Sequence, residues 1–328
     1  MTSLLHQQSF FQLVGPELGE LERVVLRELE HYEPTLVEAS MHLMKAGGKR
    51  LRPVMVLLSA RASGATEAGL AHHYLAMAVE ILHTATLIHD DIIDGSSLRR
   101  GRPTVNHQWG LRTSVLTGDF LLARSCYYIS LIENVRLNTI FSQMVMDMCN
   151  GEMSQLERRY QATITYEQYI EQVRCKTALL MAVGCQGAAI ITHADQAQEK
   201  ALYSYGHDLG IAFQIMDDML DFTVSEGEMG KSARSDLIQG QVTLPTWYAL
   251  QDSPHADELR RLIEARFADA GDLERGLDIV LTSGAIARCE REAKSYADQA
   301  VAALAALPES PAREALKDLA AFAIERKH

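Results

Sequence analysis

The sequence predicts an all-α protein, a single large helical bundle domain spanning residues 1–328. Three observations predict it. Long runs carry apolar residues at helical spacing and are rich in Ala, Leu and Met. The period-two alternation of half-buried strands is nearly absent. The breakers fall between the runs, at Gly47-Gly48, Pro53, Gly95 to Pro103, Gly227 to Gly230, Pro245, Pro254, Pro308 and Pro311. No internal repeat and no Pro-, Gly- or Ser-rich linker divides the chain, so roughly ten or more helices are expected around one core.

Taken in order, residues 21–32 (LERVVLRELEHY) read as an early helix. Gly47-Gly48-Lys49-Arg50-Leu51-Arg52-Pro53 then interrupts the pattern. A glycine pair lets backbone approach a ligand closely, with Lys49 and Arg52 as charge donors beside it. It is not a P-loop, and an ordinary basic loop is the plain alternative. Residues 70–93 form a long apolar helix that ends in Asp90-Asp91-Ile92-Ile93-Asp94. His83 lies seven residues before Asp90 and shares its face, either as a phosphate donor or as a packed histidine. His89 points elsewhere and reads as structural. The basic turn Ser97-Leu98-Arg99-Arg100-Gly101-Arg102-Pro103 follows. Its guanidinium forks suit phosphate oxygens, and equally suit neutralising the acidic motif.

Lys176-Thr177 opens the next apolar run, 176–194, as an anion site or a helix cap. The run 201–222 carries the second acidic motif, Asp217-Asp218-Met219-Leu220-Asp221, with Gln214 three residues before Asp217 on a shared face. Beyond it, Gly230-Lys231 and residues 236–245 form a loop expected to fold over the site. Residues 251–276 are more charged and read as a solvated face, and 295–327 read as two helices around Pro308 and Pro311.

The net charge of −12 argues against general nucleic-acid binding. Five cysteines, odd in number and without a CxxC, read as reduced thiols of a cytoplasmic protein. The N-terminal MTSLLHQQSFFQLVG lacks the basic segment of a signal peptide. No run reaches the ~20 apolar residues of a membrane span.

The two Asp-Asp-x-x-Asp motifs carry the chemistry. A helix turns by about 100° per residue, so the first and last Asp of each motif share a face. Like charges so close destabilise a bare helix by a few tenths of a kcal/mol per pair. Two such clusters in a chain that is 47% hydrophobic point to balancing cations. Oxygen-only ligands fit Mg²⁺, which takes a few carboxylates plus waters and substrate phosphates. The basic groups then describe a site for two diphosphates, with metal on only one.

The order GGKRLRP, LIHDDIID, LRRGRPT, Gly118-Asp119, Gly151-Glu152, KTA, FQIMDDMLDF and GQVTLP resembles the trans-polyprenyl diphosphate synthases, from about residue 40 to 250. Within them it most resembles the catalytic component II of heptaprenyl diphosphate synthase. The resemblance implies the all-α isoprenoid synthase fold and head-to-tail condensation of isopentenyl diphosphate onto an allylic diphosphate, farnesyl or geranylgeranyl. Asp90 and Asp94 would bind Mg²⁺ from one side and Asp217 a third ion from the other, with Asp218 and Asp221 in support. Arg99, Lys176, Thr177, Gln214 and Lys231 would hold the allylic diphosphate. Lys49, Arg52, His83 and Arg100 would hold the metal-free isopentenyl diphosphate. One departure stands out. Gln241 occupies the place where many relatives carry Lys in a GKxTLP pattern, and no Gly precedes Asp236. One leaving-group contact is therefore unassigned, with Arg234 nearby in sequence.

In such enzymes product length depends on side chains below the first motif. Ala85 lies five residues before Asp90, about 7.5 Å down the helix, with Thr86 beside it. Neither is aromatic, and Ile81 and Leu82 would meet the tail deeper down. A product of roughly C30–C50 is expected, heptaprenyl above all, for quinone side chains. The resemblance also implies a dimer, with itself or with a small non-catalytic subunit. The alternatives are an octaprenyl or other-length homodimeric synthase, a class I terpene cyclase, a metal phosphohydrolase built on His89-Asp90, and a non-catalytic subunit. A cyclase usually pairs one Asp motif with an Asn/Ser/Glu triad, and non-catalytic subunits lose the motifs; here both are intact.

Overall fold

The computed structural model describes residues 9–45, 49–99, 101–223 and 235–325. Gly47, Gly48, Arg100, Gly227 to Gly230, Lys231 and Arg234 lie outside the described residues. The chain is all-α, as expected. It divides into two compact units, one of Met1–Ser142, Leu180–Gly206 and Val301–Leu319, the other of Gln143–Leu179, His207–Ala300 and Ala320–His328. No helix among the described residues is long and apolar enough to cross a membrane.

The first unit is built on α1 (Ser9–Leu29), α2 (Pro34–Lys45), α3 (Leu51–Ala62) and α4 (Leu70–Ile93). α1 begins well before the periodic run and passes through Pro16. α4 is apolar almost all round, the pattern of a helix enclosed on every side. Leu75, Val79, Leu82, Ala85 and Ile88 are buried along it, and α3 packs against it. The basic turn after α4 is a small hairpin, β1 (Leu98–Arg99) and β2 (Arg102–Pro103), turned at Gly101 with φ 73°. Arg99 pairs with Arg102 across it. This is local strand geometry inside what the sequence showed only as a loop.

α5 (Val105–Ser130) follows, capped by Thr104, whose hydroxyl accepts from His107 N–H at 3.1 Å. α5 lies along α4, and Gly118 makes that approach possible. A Cβ there would sit 2.1 Å from His89 Nε2. Ser125 Oγ donates to Ala78 O at 2.9 Å further along the same contact.

α6 (Val135–Glu157) leads into the second unit with its later residues, followed by α7 (Tyr166–Val173). α7 opens with a reciprocal cap between Thr165 and Gln168. A π-helical turn, Arg174–Ala178, then runs into α8 (Leu179–Ile191). Lys176 and Thr177 therefore sit inside a continuous helical path and not at a helix start, a correction to the sequence reading. The polar residues of α7 hid the helix, because apolar periodicity becomes dense only after Lys176. α9 (Gln196–Thr223) carries the second acidic motif. Its Gly210 lies so near the π turn that a Cβ would meet Ala178 Cα at 2.5 Å.

The second unit closes with α10 (Ser235–Ile238), α11 (Leu244–Asp252), α12 (Ala256–Glu264), α13 (Asp272–Thr282) and α14 (Ala285–Ala303). Its core gathers Tyr169, Val173, Ile211, Ile215, Met219, Phe222, Leu259, Ile263, Ile279 and Cys289. The charged stretch 251–276 thus hides a buried stripe, Leu259 and Ile263, on α12. α15 (Pro311–Ile324) ends the described chain.

Candidate active site

The first acidic motif forms the end of α4 in the first unit. Asp91 is 1% exposed and accepts from Arg99 Nε at 2.7 Å. A buried carboxylate needs such a partner, so the arginine of the hairpin neutralises the middle Asp. Asp90 and Asp94 are half-buried. Asp94 lies one residue past the helix, keeps helical backbone angles, and donates its N–H to Asp90 O at 2.8 Å. The two outer carboxylates therefore keep the one-turn spacing the sequence predicts.

His89 packs against Gly118, with Nε2 3.6 Å from Asp119 Oδ1. This accounts for the Gly118-Asp119 pair: the glycine admits α5 and the aspartate meets the histidine just before Asp90. His83 and Thr86 are half-buried, while Ile81, Leu82 and Ala85 are buried. Upstream, Lys49 and Arg52 are half-buried on either side of Arg50 and Leu51.

The second motif lies in the second unit and is organised in a parallel way. Asp218 is buried, and its two oxygens accept from Gln214 Nε2 at 2.8 Å and Tyr169 OH at 2.9 Å. Gln214 in turn accepts from Thr177 Oγ1 at 2.6 Å. Gln214 thus reaches Asp218, one turn on, where the sequence suggested a shared face with Asp217. Burial pushes the Asp218 carboxyl up to about 7, against the pull of Gln214, Tyr169 and Lys176. Asp221 is also buried and accepts from Ser235 N, Ser235 Oγ and Asp236 N at 2.9–3.2 Å. It anchors the first turn of α10, which resumes the chain after the loop. Asp217 alone of this motif is half-buried.

Lys176 lines a small open cleft of about 60 Å³ in the second unit, together with Arg158, Gln214, Asp218, Asp236 and Gln241. Gln241 donates to Gln239 Oε1 at 2.8 Å. Gly151 explains how the π turn is seated: a Cβ there would stand 2.2 Å from Cys175 Cβ, next to Lys176. π turns recur at functional sites because the extra residue re-aims the side chains that follow.

Sequence reasoning missed Tyr169 and Arg158. Tyr169, Val173 and Lys176 follow helical spacing, a signal that places the phenol on the face of Lys176 once α7 is recognised. Arg158 sits in an unpatterned Glu-Arg-Arg-Tyr turn and carries no such signal.

Residues 33–280 match the family described as polyprenyl synthetase. The heptaprenyl diphosphate synthase component 2 of Geobacillus stearothermophilus is 40% identical over 323 residues, covering 98% of this chain and 99% of the relative. The chloroplastic solanesyl diphosphate synthase 2 of Arabidopsis thaliana is 36% identical over 323 residues, covering 97% of this chain and 77% of the relative. A polyprenyl synthase from Caulobacter crescentus, crystallised with calcium and isoprenyl diphosphate, superposes with a TM-score of 0.91 at 36% identity, covering 98% of each chain.

Proposed function

The chain belongs to the polyprenyl synthetase family, and from that premise we propose that it is a long-chain trans-polyprenyl diphosphate synthase. It would extend an allylic diphosphate, farnesyl or geranylgeranyl, with isopentenyl diphosphate. One observation carries the reading. Of the six motif aspartates, Asp91, Asp218 and Asp221 are buried and bonded within the fold, while Asp90, Asp94 and Asp217 stay half-buried. The three partly exposed carboxylates are the ones the resemblance assigns to metal.

An all-oxygen donor set with few protein ligands suits Mg²⁺. Among the described residues no three His, Cys, Asp or Glu side chains form a ready-made metal cage. A cation that keeps waters and substrate oxygens needs none. Bound by Asp90, Asp94 and Asp217, up to three Mg²⁺ ions would supply the positive charge that stabilises the departing diphosphate. The calcium and isoprenyl diphosphate of the Caulobacter structure belong to that protein, and support a divalent metal here.

The protein's own groups divide the remaining work. Lys176 and Arg99 would offer cationic donors to the allylic diphosphate, as would Lys231, which lies outside the described residues. Thr177 and Gln214 fix the Asp218 carboxyl and hold the second motif in register. Lys49, Arg52 and His83, with Arg100 beyond the described residues, would hold isopentenyl diphosphate without metal. The allylic C–O bond would break first, releasing diphosphate, and the double bond of isopentenyl diphosphate would then attack the resulting allylic carbocation. The proton then lost goes to the departing diphosphate, and an E double bond remains.

The non-aromatic Ala85 and Thr86 and the relatives' names support a product of roughly C30–C50, heptaprenyl foremost, which we propose serves quinone side chains. Octaprenyl is the nearest alternative length. The component 2 name of two relatives supports a small partner subunit as an alternative to a homodimer. The test is transfer of labelled isopentenyl diphosphate onto farnesyl diphosphate. Incorporation with Mg²⁺ that stops with a chelator is expected; a hydrocarbon formed from the allylic substrate alone would point to a cyclase.

A further inference from the structure

Arg50 stands between Lys49 and Arg52, the residues of the short strap at the start of α3 that the resemblance assigns to isopentenyl diphosphate, and sequence reasoning left it without a role. Its backbone is left-handed, with φ 47° and ψ 31°, a conformation side-chain-bearing residues rarely adopt. Such a residue persists only where its surroundings over-determine it. The surroundings are explicit. Nε donates to Glu22 Oε1 at 2.9 Å, Nη1 to Glu80 Oε1 at 2.7 Å and Nη2 to Met44 O at 2.7 Å. One guanidinium thus ties together α1, the last turn of α2 and α4. Its pKa is held above the ordinary value by the two carboxylates despite the opposing effect of burial.

The position of Glu80 gives the clamp its meaning. It lies three residues before His83 on α4, so the two side chains share a face one turn apart. Arg50 is the residue next to Lys49 and two before Arg52. We propose that the Arg50–Glu80 pair, steadied by Glu22, is a positioning clamp that fixes the strap bearing Lys49 and Arg52 at the level of His83. It would thereby set the geometry of the metal-free isopentenyl diphosphate subsite. Arg50 itself touches no substrate in this account. The left-handed Arg50 is the residue from which α3 starts at Leu51, and the three hydrogen bonds hold that turn. Lysine cannot replace it, because one ammonium lacks the planar fork that meets three separate acceptors.

This inference rests on the synthase reading, and its test separates the two. Calorimetric titration of isopentenyl diphosphate, without metal, is compared for wild type, Arg50→Gln and Glu80→Gln. A loosened strap should weaken isopentenyl diphosphate about tenfold or more, the order expected for losing one hydrogen bond to a charged phosphate. Farnesyl diphosphate binding with Mg²⁺ should change less than about twofold. Glu80→Gln is isosteric and tests the clamp even where Arg50→Gln does not fold. The charge-swapped pair Arg50→Glu with Glu80→Arg should not restore affinity, because the fork then springs from the wrong helix. Unchanged isopentenyl diphosphate affinity in Glu80→Gln overturns the clamp while leaving the synthase reading intact. Equal weakening of both substrates also overturns it, as a general loss of structure. Failure of the wild type to bind isopentenyl diphosphate overturns the subsite and the clamp together.

Discussion

Six aspartates of identical chemistry divide into two kinds because burial treats them differently. Spacing paired Asp90 with Asp94 and Asp217 with Asp221 on shared helix faces, and only the resemblance assigned Asp90, Asp94 and Asp217 to metal. Spacing did not separate those three from Asp91, Asp218 and Asp221, whose partners come from elsewhere in the chain: Arg99, Tyr169 and the first turn of α10. Two predictions follow from that division. Asp217→Ala should lower kcat by about 10²-fold or more while the melting temperature stays near wild type. Asp221→Ala should lower the melting temperature as well, because it removes three hydrogen bonds from a buried carboxylate. Thermal melts beside steady-state rates distinguish the two.

Asp218 gives a pH test. Its folded pKa of about 7 lies above the ordinary 3.8, so the folded state binds this proton more tightly than the unfolded chain. The stability it contributes is complete below about pH 4 and is lost as pH rises through about 7. Asp218→Asn keeps the site neutral at every pH. Its metal-free unfolding free energy should therefore gain on wild type between about pH 5 and about pH 8, by an amount on the order of 1 kcal/mol or more. A constant difference across that range would contradict the assignment.

At the scale of elements, the long helices were legible and the close approaches between them were not. Apolar periodicity marks α4 and α9 directly. It carries no trace of the π turn, which is a register shift of one residue inside a helical path. The glycines gave a partial signal. Gly118 and Gly151 stood out in sequence only as members of motifs, and their physical role is to admit His89 and Cys175 against a neighbouring helix. Gly151→Ala should force Cys175 and hence Lys176 aside, costing about 1–3 kcal/mol. The Michaelis constant for the allylic diphosphate should rise with it, and an unchanged constant would detach Gly151 from the site. On α4, Ala85→Phe should shorten the main product, read by chromatography. Ala85 is 2% exposed, so a phenyl ring must project into space that the growing chain would use or displace its packed neighbours. Unchanged length would remove Ala85 from the tail path.

At the scale of the molecule, the all-α class followed from composition and periodicity, and the family followed from motif order over more than half the chain. The division into two compact units was not legible. The first boundary falls inside α6, Leu180–Gly206 and Val301–Leu319 return to the first unit, Ala320 onward returns to the second, and no composition shift marks those boundaries.

The most direct test is the product formed by purified protein with Mg²⁺, farnesyl diphosphate and labelled isopentenyl diphosphate, resolved by chain length. The account predicts labelled polyprenyl diphosphate of roughly C30–C50, absent when the metal is chelated. Label that stops at one addition, or no label in any product of the folded protein, would contradict a self-sufficient long-chain synthase.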